Sequence, residues 1–308
     1  MKKIIALLLV ALMAVSFAAC ATNNEPVNAT ENTTVINTEA NSDSDNANES
    51  DSQNTAAPAL EIDINDANAN RTVFDDKDIK ITMEAVTADK GLNIPFVIEN
   101  NSDTDLYVTG GYFCVNNIVF PSFASVDVKK GETGTTDISV NENDLKDCRI
   151  NEIGIIEFRL SIADKASYSD VGSTGDVKLI VNKDVDITPA PVGDMIFSTD
   201  GLKIYNEPSI TESEVYEYFT RFMFVNESNK ELTVNIKDTT VNGTAIEPNS
   251  LTMIPAGKII FTDLMFSKND LASNNIKAID EAQFKFDISD RNNREDNVIS
   301  DTITIKAN

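Results

Sequence analysis

Phe96-Val97-Ile98-Glu99-Asn100-Asn101-Ser102 and Phe222-Met223-Phe224-Val225-Asn226-Glu227-Ser228 are two spellings of one phrase. Each opens with alternating apolar residues and closes on Asn and Ser. Matches extend outward on both sides. Upstream, Val73-Phe74 and Ile79-Lys80-Ile81 recur as Ile196-Phe197 and Leu202-Lys203-Ile204. Downstream, Leu106 and Val108 recur as Leu232 and Val234, and Val115-Asn116-Asn117 as Val241-Asn242-Gly243. Gly131 matches Gly257, Asn143-Asp144-Leu145 matches Asn269-Asp270-Leu271, and Phe158, Ile162 and Asp164 match Phe284, Ile288 and Asp290. The register changes once, by three residues inserted near Glu212 to Tyr218 of the second copy. Matches held at one register over this length indicate an internal duplication.

Within each copy the apolar residues have a period of two. Phe158, Leu160 and Ile162 alternate with Arg159 and Ser161, and Phe284, Phe286 and Ile288 alternate with Lys285 and Asp287. That period puts one face of a strand in a core and the other in water. Turn-forming stretches separate the runs: Asn100-Asn101-Ser102-Asp103, Asn116-Asn117, Lys130-Gly131 and Asn242-Gly243. Short alternating strands at this spacing predict an all-β chain of two tandem immunoglobulin-like β-sandwich domains, residues 59–181 and 193–308. The Asn-Asp-Leu segments predict one helical turn at a crossover, with Asn143/Asn269 or Asp144/Asp270 near its start. Pro189 and Pro191 mark residues 182–192 as an extended linker. Leu60-Glu61-Ile62-Asp63-Ile64 reads either as an extra edge strand or as the end of what precedes it.

The N-terminus has a different grammar. Lys2-Lys3, an apolar run from Ile4 to Val15 and small residues before Cys20 read as a secretory signal over residues 1–19. Residues 20–58 begin with Cys20 and continue as a disordered acidic tether. From Ala21 to Pro58 it holds seven acids, no Lys or Arg and no aromatic residue. Such a composition cannot offset its own ordering entropy by burial. As a flexible chain it spans roughly 35 Å on average, and like charges lengthen it.

Composition narrows the function. The 308 residues carry 50 Asp+Glu against 25 Lys+Arg, for a net charge of -25. That argues against nucleic acid as a partner. The chain has no His, which removes His-dependent nucleophilic catalysis and imidazole metal sites. No Lys follows Gly172-Ser173-Thr174-Gly175, so it is not a phosphate-binding loop. The clusters Asn101, Asp103, Asp105 and Asp287, Asp290, Asn292, Glu295, Asp296 lack the spacing of a calcium loop; turn chemistry accounts for them. No metal, cofactor or catalytic residue is expected. Cys114 and Cys148 are replaced by Thr240 and Asn274 in the second copy, so the fold does not need them. They form either a disulfide or a pair of buried thiols. Tyr216 and Phe219, beside the insertion, are candidate partner contacts if exposed; a bulge that packs them into the core is the alternative.

Phe17-Ala18-Ala19-Cys20 resembles the lipobox of bacterial lipoproteins, with Phe17 where Leu is usual. The resemblance implies a diacylglyceryl group on Cys20 and a membrane anchor at the extracytoplasmic face. The tether and the repeated unit, with Ala256-Gly257-Lys258 and Phe284-Lys285-Phe286 among its motifs, resemble uncharacterised clostridial-type (Gram-positive) cell-surface lipoproteins. That family implies no activity, cofactor or catalytic residue. The expectation is a lipid-anchored, non-enzymatic surface protein with a binding, spacing or adhesion role toward an unidentified protein or glycan. The alternative is a ligand-capture accessory of a transporter or polysaccharide system.

Overall fold

The computed structural model describes residues 60–63, 70–88, 91–213, 217–248 and 251–307. Their regular structure is almost entirely strand, with two single-turn helices. The first repeat contains β1 (Leu60–Asp63), β2 (Arg71–Asp76), β3 (Ile79–Met83), β4 (Gly91–Asn100), β5 (Leu106–Val115) and β6 (Ile118–Val119). It continues with β7 (Ser125–Val128), β8 (Thr133–Asn141), α1 (Glu142–Asp147), β9 (Ile155–Asp164), β10 (Asp170–Ser173) and β11 (Val177–Ile180). The second repeat contains β12 (Asp194–Thr199), β13 (Leu202–Asn206), β14 (Thr211–Ser213), β15 (Glu217–Asn226), β16 (Leu232–Val241) and β17 (Thr244–Ala245). It ends with β18 (Leu251–Ile254), β19 (Ile259–Phe266), α2 (Lys268–Ser273), β20 (Glu281–Asp290), β21 (Asn293–Ile299) and β22 (Ile303–Lys306). From β2 onward each element has its counterpart in the same order, apart from β14. That strand belongs to the insertion and pairs with β15.

Each repeat is a two-sheet sandwich. One sheet runs β2-β3-β4-β8, with β12-β13-β15-β19 as its equivalent. The other is built on β5 and β9, or on β16 and β20, flanked by the shorter strands. The chain crosses between sheets from β4 to β5, back from β7 to β8, and again from β8 through α1 to β9. Such crossings between layers are Greek-key connections of a β-sandwich. Alternation does what the sequence predicts: β4 and β20 bury every second residue, including Phe96, Ile98, Phe284 and Phe286. Phe96 meets Phe158 across the sheets edge to face at 5.2 Å, and Phe222 meets Phe284 in the same way at 5.8 Å.

The repeated Asn residues turn out to be clamps. Asn100 and Asn226 are buried. The Asn100 amide donates to the carbonyls of Thr104 and Val128, and Asn226 donates to those of Lys230, Ile254 and Pro255. Their side-chain oxygens accept from the backbone and hydroxyl of Ser102 and Ser228. Asn116 Oδ1 accepts from the amides of Gly154 and Ile155, and Asn242 Oδ1 from those of Asp280 and Glu281. One side chain thus satisfies several backbone groups of a neighbouring loop.

The helical turns form as predicted, but their caps lie earlier. Asn141 accepts from the Asp144 amide and Ser267 from the Asn269 and Asp270 amides. An N-cap side chain accepts from the amide of N2 or N3, so Asp144 and Asp270 donate their amides to the cap and do not supply it. Leu60–Asp63 is an edge strand, paired in parallel with β11. Residues 182–192 are mostly exposed but anchored to the first repeat at their end: Val192 is buried in its core and the Pro191 carbonyl accepts from Arg149.

The repeats share a sheet. β6 pairs in parallel with β19 at Ile118 and Ile259, joining the β5/β9 sheet of the first repeat to the β15/β19 sheet of the second. The Ile259 amide donates to the Asn117 carbonyl at 2.9 Å. Met223 and Ile259 of the second repeat are buried in the first repeat's core. Period-two burial fails at this junction. Phe113, Cys114 and Val115 are buried in succession, as are Phe222, Met223 and Phe224. Both faces of β5 and β15 are covered there.

Candidate functional site

Cys20 and Tyr216 lie outside the described residues. Phe219 is half-buried in β15, opposite Thr211 and Met265. Tyr218, of the other parity, packs against the second core.

Cys114 and Cys148 are both free thiols. Cys114 lies on the face of β5 turned away from Phe113 and Val115, opposite Glu157 and Val119. Cys148 caps the C-terminus of α1 and packs against the first core. Burial pushes each thiol up to about 12, so neither is nucleophilic at neutral pH. Burial also raises the Tyr112 hydroxyl, which hydrogen-bonds Cys114. Lys258 from the second repeat reaches over this patch. It pairs with Glu157 and donates to Asn117 Oδ1 at 3.2 Å.

The acidic clusters serve turns and ion pairs. Asp105 accepts from the Lys130 amide and Asp290 from the Asn292 amide. Burial pushes the Asp287 carboxyl up, but the Asn297 amide and Lys237 outweigh it and hold it below the usual range. Among the described residues no three acidic or thiol side chains gather into a metal-binding group.

Two concavities occupy equivalent places beneath the helical turns. The first, about 440 Å³, has Leu92, Leu145 and Ile150 in its lining and the ion pair Glu142–Lys146 at its edge. The second, about 420 Å³, has Tyr218, Leu271 and Ile276 at those positions, with Lys268 and Lys277 beside them. A third, about 490 Å³, lies between the repeats and is lined by Phe123, Cys148, Phe261 and the Arg221–Asp263 pair. Hydrogen bonding to Asp263 raises the Arg221 guanidinium further above its ordinary value.

Another aromatic pair lies in the first repeat, with one ring half-buried and the other exposed. Tyr107 on β5 and Tyr168, in the turn after β9, meet edge to face at 5.9 Å. The Lys165 ammonium stands 4.7 Å from the Tyr107 ring centre and 5.5 Å from that of Tyr168. It pairs with Asp127 at 2.8 Å, and that hydrogen bond raises its pKa. Asp164 fixes the turn: its carboxylate accepts from the amides of Ser167 and Ala166 and from the Ser167 hydroxyl. The Ser167 amide is the largest cause of its lowered pKa. Tyr168 is 63% exposed and has φ +55, a region bulky residues rarely enter. Parity places Tyr107 on the outer face of β5, but nothing local announces that residue 168 lands beside it.

No known family model matches the chain, and no curated protein matches it. Among solved structures it is similar to a protein of unknown function from Porphyromonas gingivalis W83, at 12% identity and a TM-score of 0.20. That match covers 75% of this chain and 98% of the other. It is also similar to a structure of the Salmonella enterica SafA pilin in complex with the SafB chaperone, at 8% identity and a TM-score of 0.20, covering 70% and 88% of the two chains. At these scores neither likeness carries an argument.

Proposed function

We propose that this is a lipid-anchored, non-enzymatic protein of the extracytoplasmic membrane face, which displays two joined β-sandwiches for binding or spacing at the cell surface. The reading rests on Cys20 as the acylated residue and on residues 21–58 as a spacer. The observation that carries it is the strand order β1-β11-β9-β5-β6-β19-β15-β13-β12. The strand that follows the spacer lies at one end of the shared sheet and the second repeat lies at the other. Nine strands at ~4.8 Å spacing cover roughly 40 Å. A sheet of that span suits a module that holds its far repeat away from the membrane. No helix among the described residues is long and apolar enough to cross a membrane.

The test is mass spectrometry of the N-terminal peptide from the membrane fraction, with proximity labelling on intact cells. Cleavage before Cys20, a diacylglyceryl mass on it and surface neighbours are the expected results. An intact leader with an unmodified Cys20 in the cytosol overturns the reading. The matched concavities beneath α1 and α2 favour a second reading, small-ligand capture for a transporter or polysaccharide system. Native mass spectrometry that finds a bound small molecule in freshly purified protein would select it.

A further inference from the structure

We propose that Tyr107, Tyr168, Lys165 and Asp127 form a carbohydrate-binding platform for a neutral sugar chain. It gives the binding role above a ligand class, and rests on that reading only for where the sugar is met. A pyranose offers an apolar C–H face and a rim of hydroxyls, so its binding site needs an open aromatic face edged by donors and acceptors. Tyr168 supplies the open ring. Tyr107 stands perpendicular to it at 5.9 Å and closes one side. Lys165 brings ammonium donors and Asp127 carboxylate acceptors, and the two are held together at 2.8 Å.

The platform is built before any ligand arrives. The Tyr168 amide donates to the Asp164 carbonyl at 2.8 Å, and the Asp164 amide to the Ser169 carbonyl at 2.9 Å. This closed turn keeps a bulky residue at positive φ while most of its ring stays in water, the kind of local strain that clusters at binding sites. The duplication supplies an internal control. The equivalent positions in the second repeat are Thr233 for Tyr107, Met253 for Asp127, Arg291 for Lys165 and Arg294 for Tyr168. The same strands form there without the aromatic pair, so the sandwich does not require it. The ligand is neutral because Lys165 already occupies the cation position over both rings. Asp105, Asp127 and Asp164 around the turn, in a chain of net charge -25, repel polyanions.

The test uses the mature acylated protein in detergent micelles, titrated with cello-, chito- and galacto-oligosaccharides and, as an acidic contrast, polygalacturonate. Calorimetry and tyrosine fluorescence are the readouts, since the chain has no Trp. Saturable binding of a neutral oligosaccharide is expected. Tyr168→Ala and Tyr107→Ala should each weaken it about tenfold, and Tyr168→Phe should keep it within about threefold. Tyr168→Gly should lose binding without lowering Tm, which separates a binding ring from a structural one. No response to any neutral oligosaccharide at millimolar concentration overturns the proposal. So does binding that survives Tyr168→Ala, a preference for polygalacturonate, or a Tyr168-dependent protein ligand in place of a sugar. The mass of Cys20, read on the same sample, reports separately on the anchor.

Discussion

Replacing Lys258 by Met tests whether the two repeats are held as one body. Lys258 belongs to the second repeat, and its ammonium pairs with Glu157 of the first. The side chains are only 14% and 21% exposed. An exposed pair contributes up to about 1 kcal/mol, whereas breaking a buried one costs about 3–5. Partial cover puts the loss between these, at about 2–3 kcal/mol, mostly because Glu157 is left under the junction without its cation. For a body of this size that lowers Tm by roughly 4–12 °C. Combining Lys258→Met with Glu157→Leu should recover most of the loss, since no charge then remains uncompensated. Cys114 gives a local readout, because it is fully buried on the same patch. In a Cys148→Ser background, 2 kcal/mol less resistance to opening accelerates thiol labelling of Cys114 roughly 30-fold. Scanning calorimetry and labelling with a thiol reagent at pH 8 measure the two effects. An unchanged Tm together with an unchanged labelling rate would refute the junction argument.

Three further outcomes follow from the same structure. Asn226→Ala should destabilise by about 2–3 kcal/mol in urea, because the carbonyls it satisfies lose their donor, and Asn100→Ala should do the same in the first repeat; a cost under 0.5 kcal/mol would mean that water replaces the clamp. Gly91→Ala should cost about 2 kcal/mol or more: φ is +113 and an added Cβ would stand 2.2 Å from the Val140 carbonyl oxygen. Gly243→Ala, at φ +78 with nothing within 4 Å, should cost only about 1 kcal/mol. Equal losses at the two glycines would contradict the clash. Finally, stability should fall as pH rises. Burial moves the Cys114 and Cys148 thiols from 9.0 to about 12 in the folded chain. Between those values the unfolded chain has released protons that the folded chain still holds, so their contribution is complete below pH 9 and lost by about 12. Cys114→Ala should make that slope shallower in urea melts at pH 8 to 11; an identical slope would show that other groups set it.

Much of this fold is legible in local pattern. Phe158, Leu160 and Ile162 announce a half-buried strand because side-chain direction alternates along any extended backbone, whatever packs on it. Asn-Asp-Leu announces a helical turn, although the cap falls on Asn141 and Ser267, outside the repeated triplet. Tyr216 and Phe219 stand out as a cluster along the chain, whereas Tyr107 and Tyr168 are separated by four strands and meet only when β5 pairs with β9.

The duplication, the all-β character and the strands with plain alternation, such as Phe158 to Ile162 and Phe284 to Ile288, were determined by sequence alone. Each depends on the period of one short segment or on its match to another. The union of the repeats was decided only in three dimensions. It combines a parallel pair between Ile118 and Ile259, in a strand of two residues that no periodicity can mark, with the Lys258–Glu157 pair and the burial of Met223. Parity says which way Cys114 and Met223 point, and it assigns both to the outer face. What covers that face depends on contacts between residues more than a hundred positions apart, and those exist only once both sandwiches have formed.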